Sequence, residues 1–306
     1  MGILVIGATF VDIKGFPFDN YLPTGRNAGR VEYVHGGVAR NVVEDIANVE
    51  LRPTFLSIVD DTPMGDAVIK KLNNHKVNTD YVLTRLDGMG TWLAVFDNNG
   101  DVAGSISKRP NMYPIAELLE EKGDDIFSQV PSVVLEIGLD KEIVKGTLSL
   151  AKKHNVKTFA LVANMSIAAE RRDLLQQFDC VICNQQEAGI LFLDDYEGKS
   201  PEEMRGILAE RIIAANIPSM VVTMGGDGAV YANLKGESGI CPARKVQVKD
   251  TTGAGDSFCA GVAIGMTYGK TMAEAVEIGT TLAASVITSS ENVCPRFRPE
   301  EFGLNI

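Results

Sequence analysis

The sequence predicts an α/β protein with a mainly parallel central sheet flanked by helices, and with a small antiparallel β-lid. Short apolar runs rich in β-branched residues recur along the chain, at 3–7, 55–59, 132–138, 156–162, 180–183 and 219–225. Several of these runs are separated by segments with helical periodicity. Strands that are buried on both faces and separated by helices are typical of βαβ units in a parallel sheet.

The helical segments carry recognisable start signals. In the segment that begins at Ser200, that serine is a favoured N-cap, Pro201 suits the first turn, and Glu203 completes a capping box. A later run, 254–268, consists mostly of small and apolar residues. We expect it to form a helix packed deep against the sheet.

Two regions lack this alternation of strands and helices, and they predict the lid. Residues 10–35 and 88–110 alternate like strands and contain no helix-length pattern, and Asn98-Asn99-Gly100 is a hairpin signal. No linker-like stretch separates them from the rest. We therefore expect residues 1–306 to form one domain that carries a lid over its site.

Composition narrows the class of protein. The 306 residues are 45% hydrophobic and 23% charged, which is typical of a soluble globular protein. A net charge of −11 disfavours a nucleic acid polymer as partner. No apolar run reaches the roughly 18 residues needed to span a bilayer, and the N-terminus lacks the basic region of a signal peptide. The expected location is cytoplasmic, without membrane attachment.

The stretch DTTGAGDSF (250–258) places small residues before the helical run. Gly253, Ala254 and Gly255 would let an anion approach the backbone N–H groups at the helix N-terminus. Asp256, in the first turn, is placed to act as a general base. This combination suits phosphate transfer to a hydroxyl, because amides stabilise the moving group while a carboxylate takes the proton. A lone G-x-G-D would more often be a simple glycine-rich turn.

Four other short stretches carry polar groups near predicted strand ends or helix starts. Asp12 follows the first strand, and HGGVARN (35–41) places two glycines before a helix. NQQE (184–187) and TMGGDG (223–228) each follow a later strand, at the edge of a parallel sheet where ligands normally bind. Each stretch alone is weak evidence for a ligand site, but the order of all four along one chain is much more specific.

In this order the motifs resemble those of the ribokinase-like (PfkB) family of sugar and nucleoside kinases, over nearly the whole chain. DTTGAGDSF is the most specific of them. The other matching positions are Gly7 to Asp12, Gly36, Gly37 and Asn41, DDTPMGD (60–66), Asn184 and Glu187, and Thr223, Gly225 and Gly228. The resemblance implies a ribokinase-like fold, an ATP- and Mg²⁺-dependent kinase, and a lid that often forms a homodimer interface.

The resemblance also implies roles for individual residues. Asp256 would deprotonate a primary hydroxyl, and the amides of Gly253, Ala254 and Gly255 would form the anion hole. The acceptor would be bound by Asp12, Gly36, Gly37, Asn41 and Asn164. Asn184 and Glu187 would bind Mg²⁺ and phosphates through water, and the nucleotide would lie along Thr223, Gly225, Gly228 and the 277–292 segment. A monovalent cation such as K⁺ would bind near Asp250 and Thr252. After Ala284 the chain departs from the family's common pattern.

The sequence says less about the identity of the acceptor substrate than about the type of reaction. HGGVARN and the FDNNGDV hairpin look most like the pseudouridine-kinase branch, whereas ribokinases more often show G-G-K-G-A-N. We therefore expect the 5′-hydroxyl of pseudouridine to be the acceptor, with ribose, fructose or another free sugar as the alternative. A non-catalytic ligand-binding relative is a different class of function. Such a protein would be expected to have lost Asp256 or the small residues before it, and this chain retains both.

Overall fold

Strands and helices alternate along the chain, and the computed structural model describes them over residues 2–162 and 168–304. The strands are β1 (Leu4–Ile6), β2 (Phe10–Pro17), β3 (Gly29–Gly36), β4 (Thr54–Asp60), β5 (Val82–Arg85), β6 (Gly90–Phe96), β7 (Val102–Lys108), β8 (Ser132–Glu136), β9 (Lys157–Leu161), β10 (Cys180–Asn184), β11 (Ser219–Thr223), β12 (Ala229–Asn233) and β13 (Ser238–Cys241). The helices are α1 (Val38–Asn48), α2 (Pro63–Asn74), α3 (Tyr113–Phe127), α4 (Lys141–His154), α5 (Arg172–Leu175), α6 (Gln185–Phe192), α7 (Pro201–Ala215), α8 (Ala254–Thr267) and α9 (Met272–Ile287).

The central sheet has the strand order β13-β12-β11-β10-β9-β8-β1-β4-β5. Every neighbouring pair from β11 to β5 is parallel, and β12 and β13 add antiparallel strands at one edge. The predicted mainly parallel sheet is confirmed. Because these parallel strands run in one direction, the loops that follow β1, β8, β10 and β11 open at the same edge of the sheet.

Helices cover both faces of the sheet, because successive strand residues alternate between two cores. Ile3 and Val5 belong to the core beneath α1, α2, α8 and α9, whereas Leu4 and Ile6 belong to the core beneath α3, α4, α6 and α7. In the first layer α1 packs directly against α8. Among the helices that the structure describes, none has the length and apolar character required to cross a membrane.

Local signals in the sequence set several helix starts. The Ser200 side chain accepts a hydrogen bond from the Glu203 N–H, and the Glu203 carboxylate accepts one from the Ser200 N–H. The predicted capping box of α7 is therefore present. Thr271 and Glu274 form the same reciprocal pair at the start of α9. The predicted helix at 254–268 is also present, as α8.

The two regions predicted to form the lid make a separate four-stranded sheet with the order β3-β2-β6-β7, and we keep the name lid for this sheet. Within it, β2–β3 and β6–β7 are the two antiparallel hairpins expected from residues 10–35 and 88–110. The pair that joins the hairpins, β2–β6, is parallel. The lid sheet is therefore not purely antiparallel, although the sequence predicts an antiparallel lid. The parallel pair arises because the two hairpins come from distant parts of the chain and their first strands run in the same direction.

Candidate active site

The candidate site lies at the carboxyl edge of the central sheet, where the N-termini of α1 and α8 meet. Asp256 is in the first turn of α8, and Asn41 is in the first turn of α1. The Asn41 Nδ2 donates a hydrogen bond of 2.6 Å to Asp256 Oδ2. Asn41, expected to bind the acceptor, therefore also orients the candidate base.

Asp256 is half-buried and lies near other acidic side chains. Burial raises its pKa to about 7, the Asn41 hydrogen bond and the Arg40 charge oppose the rise, and Glu136 and Asp12 add to it. A carboxyl with such a pKa can take a proton from an alcohol more readily than an exposed aspartate can. The direction of this pKa shift agrees with the prediction that Asp256 acts as a general base.

Glu136 is a site residue that the sequence motifs did not single out. It ends β8, and its Oε2 accepts a 2.9 Å hydrogen bond from the Ala8 N–H. Burial raises the pKa of Glu136 to about 6. An acid at the end of the buried run SVVLE was the available signal, because charged residues are rarely buried in a strand without a reason.

Asp12 reaches the site from the lid. It lies on β2, opposite Val34 of β3, and burial raises its pKa. Gly36 leaves room for this carboxylate, since a Cβ at that position would lie 2.6 Å from Asp12 Oδ1 and would displace it. Gly37 has φ of 100°, and a Cβ there would lie 2.6 Å from the Ala8 carbonyl oxygen. The two glycines thus let the start of α1 lie close to the lid and to the Asp12 carboxylate.

The backbone before α8 forms an anion-binding turn. Gly253 has φ of 81°, a left-handed conformation that suits glycine, and a Cβ there would overlap the Asn292 carbonyl oxygen. The Ala254 N–H donates to the Thr251 carbonyl oxygen at 3.2 Å. Within the described residues, the N–H groups of Gly253, Gly255 and Asp256 have no such acceptor. Of the three amides expected to form the anion hole, those of Gly253 and Gly255 are therefore open to an anion at the positive end of the α8 dipole, as is that of Asp256, whereas that of Ala254 already has an acceptor.

A cavity of about 650 Å³ adjoins this turn. Residues of the turn, of the loop after β11 and of α9 line it together, and those that matter here are Thr223, Gly225, Gly228, Ala254, Gly255, Thr280, Ala283, Ala284 and Ile287. Apart from the chain segments directly adjoining each glycine, no atom of the described residues lies within 4 Å of the position that a Cβ of Gly225 or Gly255 would take. The volume, the apolar wall and the open glycines fit a nucleotide whose phosphates point at α8.

Asn184 and Glu187 occupy the start of α6, where they cap each other. The Asn184 Oδ1 accepts from the Glu187 N–H, and the Glu187 Oε2 accepts from the Asn184 N–H, each at 2.8 Å. Neither residue lines the 650 Å³ cavity. Their oxygen ligands suit Mg²⁺ held through water, and that role stays a prediction.

Three other expected site residues have less support. The Thr252 N–H donates to Asp250 Oδ1 at 2.8 Å, so these two form a local turn. The described residues contain no group of three or more acids, histidines or cysteines arranged for a metal ion. The K⁺ site therefore stays a prediction. Asn164 lies outside the described residues.

The lid brings aromatic side chains to the same face as Asp12. Trp92 of β6 is the cross-strand neighbour of Asp12. Phe96 packs edge-on against Trp92 with ring centroids 6.4 Å apart, and it stacks on Phe16 at 4.7 Å. An acceptor that contacts Asp12 would thus meet an aromatic surface, on which a planar base can stack.

Comparison with known proteins identifies close relatives of the chain. The family model described as "pfkB family carbohydrate kinase" matches residues 2–294. A guanosine-inosine kinase of Exiguobacterium acetylicum is 35% identical over 292 residues, covering 95% of each chain. A pseudouridine kinase of Escherichia coli (strain K12) is 27% identical over 276 residues, covering 90% of this chain and 86% of the relative.

Solved structures share the fold. The Arabidopsis thaliana ribokinase complexed with ribose and ATP superposes with a TM-score of 0.83 at 19% identity, covering 98% of this chain and 97% of the other. The adenosine kinase of Sinorhizobium meliloti superposes with a TM-score of 0.75 at 22% identity, covering 95% of each chain. At such identities the likeness establishes the ribokinase-like fold.

Proposed function

Because the chain belongs to the pfkB family of carbohydrate kinases, and is thus a sugar or nucleoside kinase, we propose that it phosphorylates the 5′-hydroxyl of a nucleoside. Membership of this family implies that ATP and Mg²⁺ are used. Guanosine and inosine are the first candidate acceptors, because the guanosine-inosine kinase is 35% identical over nearly the whole chain. Pseudouridine is the second, favoured by the HGGVARN motif and by the kinase that is 27% identical.

The observation that carries the nucleoside proposal is the position of Trp92 beside Asp12. A free pentose needs hydroxyl-binding groups, which Asp12, Glu136 and Asn41 can supply. A nucleoside additionally presents a flat aromatic base, and the indole of Trp92 lies on the same lid face as the Asp12 carboxylate. Stacking on an aromatic side chain contributes about 1–3 kcal/mol per base. This surface supports a nucleoside over a free sugar.

The residues around Asp256 account for the transfer. Asn41 holds one carboxylate oxygen of Asp256 by its 2.6 Å hydrogen bond and leaves the other to accept the proton of the primary hydroxyl. The amides of Gly255 and Asp256 face the incoming phosphoryl group and stabilise its negative charge. Mg²⁺, when bound with ATP, would neutralise phosphate charge near Asn184 and Glu187. Closure of the lid, which carries Asp12, over the bound acceptor would exclude water, which favours transfer to the alcohol over hydrolysis.

An acceptor screen tests the proposal. ADP formation is measured with guanosine, inosine, pseudouridine and ribose. We expect kcat/KM for a nucleoside to exceed that for ribose by at least about 100-fold. The Trp92→Ala variant should lose most of this preference while keeping its activity on ribose. A preference for ribose in the wild-type protein would refute the nucleoside assignment, and a preference for pseudouridine over both purine nucleosides would reverse the order of the candidates.

Asp12→Ala is the matching test of the acceptor site. Asp12 lies on the acceptor side of Asp256 and does not line the nucleotide cavity. We expect the acceptor KM to rise at least about tenfold, as for loss of a hydrogen bond between a carboxylate and a hydroxyl, with the ATP KM nearly unchanged. Steady-state kinetics with each substrate varied in turn measures both values. A larger effect on ATP would place Asp12 elsewhere in the reaction.

The lid also supports a homodimer. The lid face opposite Asp12 carries the exposed apolar side chains of Tyr33, Leu93 and Ile106, in register across the strands with Ile13, which itself packs against the core beneath α1. Tyr33 and Ile106 are 62% and 70% exposed, which is unusual for large apolar residues in adjacent strands. We propose that the lid of a second copy covers this face. Sedimentation should give a dimer for the wild-type protein and a monomer for Ile106→Glu, and a monomeric wild type would contradict the proposal.

A further inference from the structure

Helix α1 is unusual because it buries charged and amide side chains where it packs against its neighbours. Arg40 and Glu44 are each 1% exposed, and Asp45 is fully buried. A helix face buried in this way is normally apolar. Arg40 is accounted for by its contacts with Glu44 and with the carbonyl oxygen of His35. Asp45 belongs to a different set of contacts.

Asp45 binds two segments that are distant in sequence. Its Oδ2 accepts a 2.7 Å hydrogen bond from the Ser257 hydroxyl, and its Oδ1 accepts a 2.6 Å hydrogen bond from the Cys294 N–H. Among the described residues, the ion pairs do not include Asp45. Burial raises the pKa of Asp45 to about 7. A buried carboxyl without a counter-ion is costly, so stability alone is a poor reason for an aspartate at this position.

These contacts meet the candidate active site at three points. Ser257 directly follows Asp256 in α8. Asn41, which holds Asp256 Oδ2, lies one helical turn before Asp45 on α1. Asn292 belongs to the segment anchored at Cys294, and its carbonyl oxygen occupies the space that a Cβ of Gly253 would need. Asp45 thus connects the helix that orients the base, the helix that carries the base, and the segment behind the anion-binding turn.

We propose that Asp45 is a positioning residue for phosphoryl transfer, which fixes α1, the start of α8 and residues 292–294 in one arrangement. It acts through Ser257 and the Cys294 backbone and does not touch substrate. The inference rests on the role of the α8 N-terminus proposed above. Because Asp45 does not line the nucleotide cavity, its loss should lower kcat while leaving the ATP KM nearly unchanged.

Two substitutions of Asp45 separate geometry from charge. Asp45→Ala removes both acceptors, and we expect kcat to fall about 10- to 100-fold, as for other small displacements of catalytic groups. In Asp45→Asn the amide oxygen can accept from the Cys294 N–H while the NH₂ donates to the Ser257 hydroxyl. We expect kcat of Asp45→Asn to be within about fivefold of the wild type, the value of one hydrogen bond.

A matched pair of serine variants provides the control. Ser257→Ala removes the hydrogen bond at the start of α8, and Ser132→Ala removes the 2.7 Å bond between Ser132 and Thr267 at the other end of the same helix. Both variants should lower Tm by similar amounts. We expect kcat to fall about fivefold in Ser257→Ala and to stay at the wild-type value in Ser132→Ala.

The outcomes are separable. Equal kcat in the two serine variants would overturn the proposal, even if Asp45→Ala fails to fold. A folded Asp45→Ala with wild-type kcat, or one whose ATP KM rises as much as kcat falls, would overturn it as well, as would an Asp45→Asn no more active than Asp45→Ala. These comparisons use whichever acceptor the screen identifies. If Asp256→Asn keeps full turnover, the assignment of the base fails, and the serine comparison still tests whether Asp45 positions the anion-binding turn.

Discussion

Asp256→Asn is expected to lower kcat by about 10²- to 10⁴-fold, the usual contribution of a general base, while the Kd for ATP stays nearly constant. The asparagine keeps the shape of the side chain, and its oxygen can still accept the 2.6 Å hydrogen bond from Asn41. Only the ability to take a proton from the acceptor hydroxyl is lost. Initial rates of ADP formation, together with ATP binding measured by calorimetry, check the two halves of this expectation.

The stability of the same variant provides an internal control. The folded-state pKa of Asp256 is raised from 3.8 to about 7, so the folded protein holds this proton more tightly than the unfolded chain does. The stabilisation is therefore full below the unfolded pKa and is lost as the pH rises through about 7. At pH 8 asparagine avoids the cost of the buried charge, and Tm of Asp256→Asn should equal or exceed that of the wild type. If Tm of Asp256→Asn were lower, its loss of turnover would have to be attributed to a damaged fold and not to the missing base. Asp125→Asn, at an exposed site, should change neither kcat nor Tm.

Gly253→Ala is the second change with a large expected effect. Alanine is strained at φ of 81°, by about 1–3 kcal/mol, and its methyl group would overlap the Asn292 carbonyl oxygen. The turn before α8 must shift to relieve the overlap, which moves the amides that face the phosphoryl group. We expect kcat to fall at least about 100-fold, comparable to the loss of one oxyanion donor, and Tm to fall as well.

Gly255→Ala is the matched variant in the same turn. Gly255 is in α8 with ordinary helical geometry, and beyond the adjoining helix backbone no atom of the described residues lies within 4 Å of the position of its Cβ. Alanine should leave Tm unchanged or raise it, because it favours the helix by about 1 kcal/mol. Since Gly255 lines the nucleotide cavity, the added methyl group should instead raise the ATP KM. If both alanine variants had wild-type kinetics, the turn would not be the anion-binding element.

The sequence predicts the elements whose causes are local. The capping box of Ser200 and Glu203 involves residues three positions apart, and the start of α8 is marked by glycines next to the helix itself. Short spacings of this kind report hydrogen bonds that form within one turn. The parallel β2–β6 pair was missed for the opposite reason, because it depends on how two distant hairpins approach each other.

The residues of the candidate site also fall into those that local sequence motifs predict and those that depend on contacts between distant segments. Asp12, Asn41 and Asp256 are in motifs next to strand ends or helix starts, and the structure brings them together. Glu136 had only a weak signal, an acid ending an apolar strand. Asp45 had none, since an acidic pair is common on an exposed helix face. Only the packing of α1 against α8 and Cys294 gives its carboxylate a partner, and nothing in the residues near Asp45 encodes that packing.

The crowding of Asp12, Glu136 and Asp256 has a consequence for how the acceptor binds. The pKa of Glu136 is raised to about 6 and that of Asp256 to about 7, so near neutral pH the site without substrate retains part of its acid protons. A polyol entering between these groups supplies hydroxyl donors, which favour the ionised carboxylates. We therefore expect acceptor binding to release protons into the solvent, so that the calorimetric heat of binding varies with the ionisation enthalpy of the buffer.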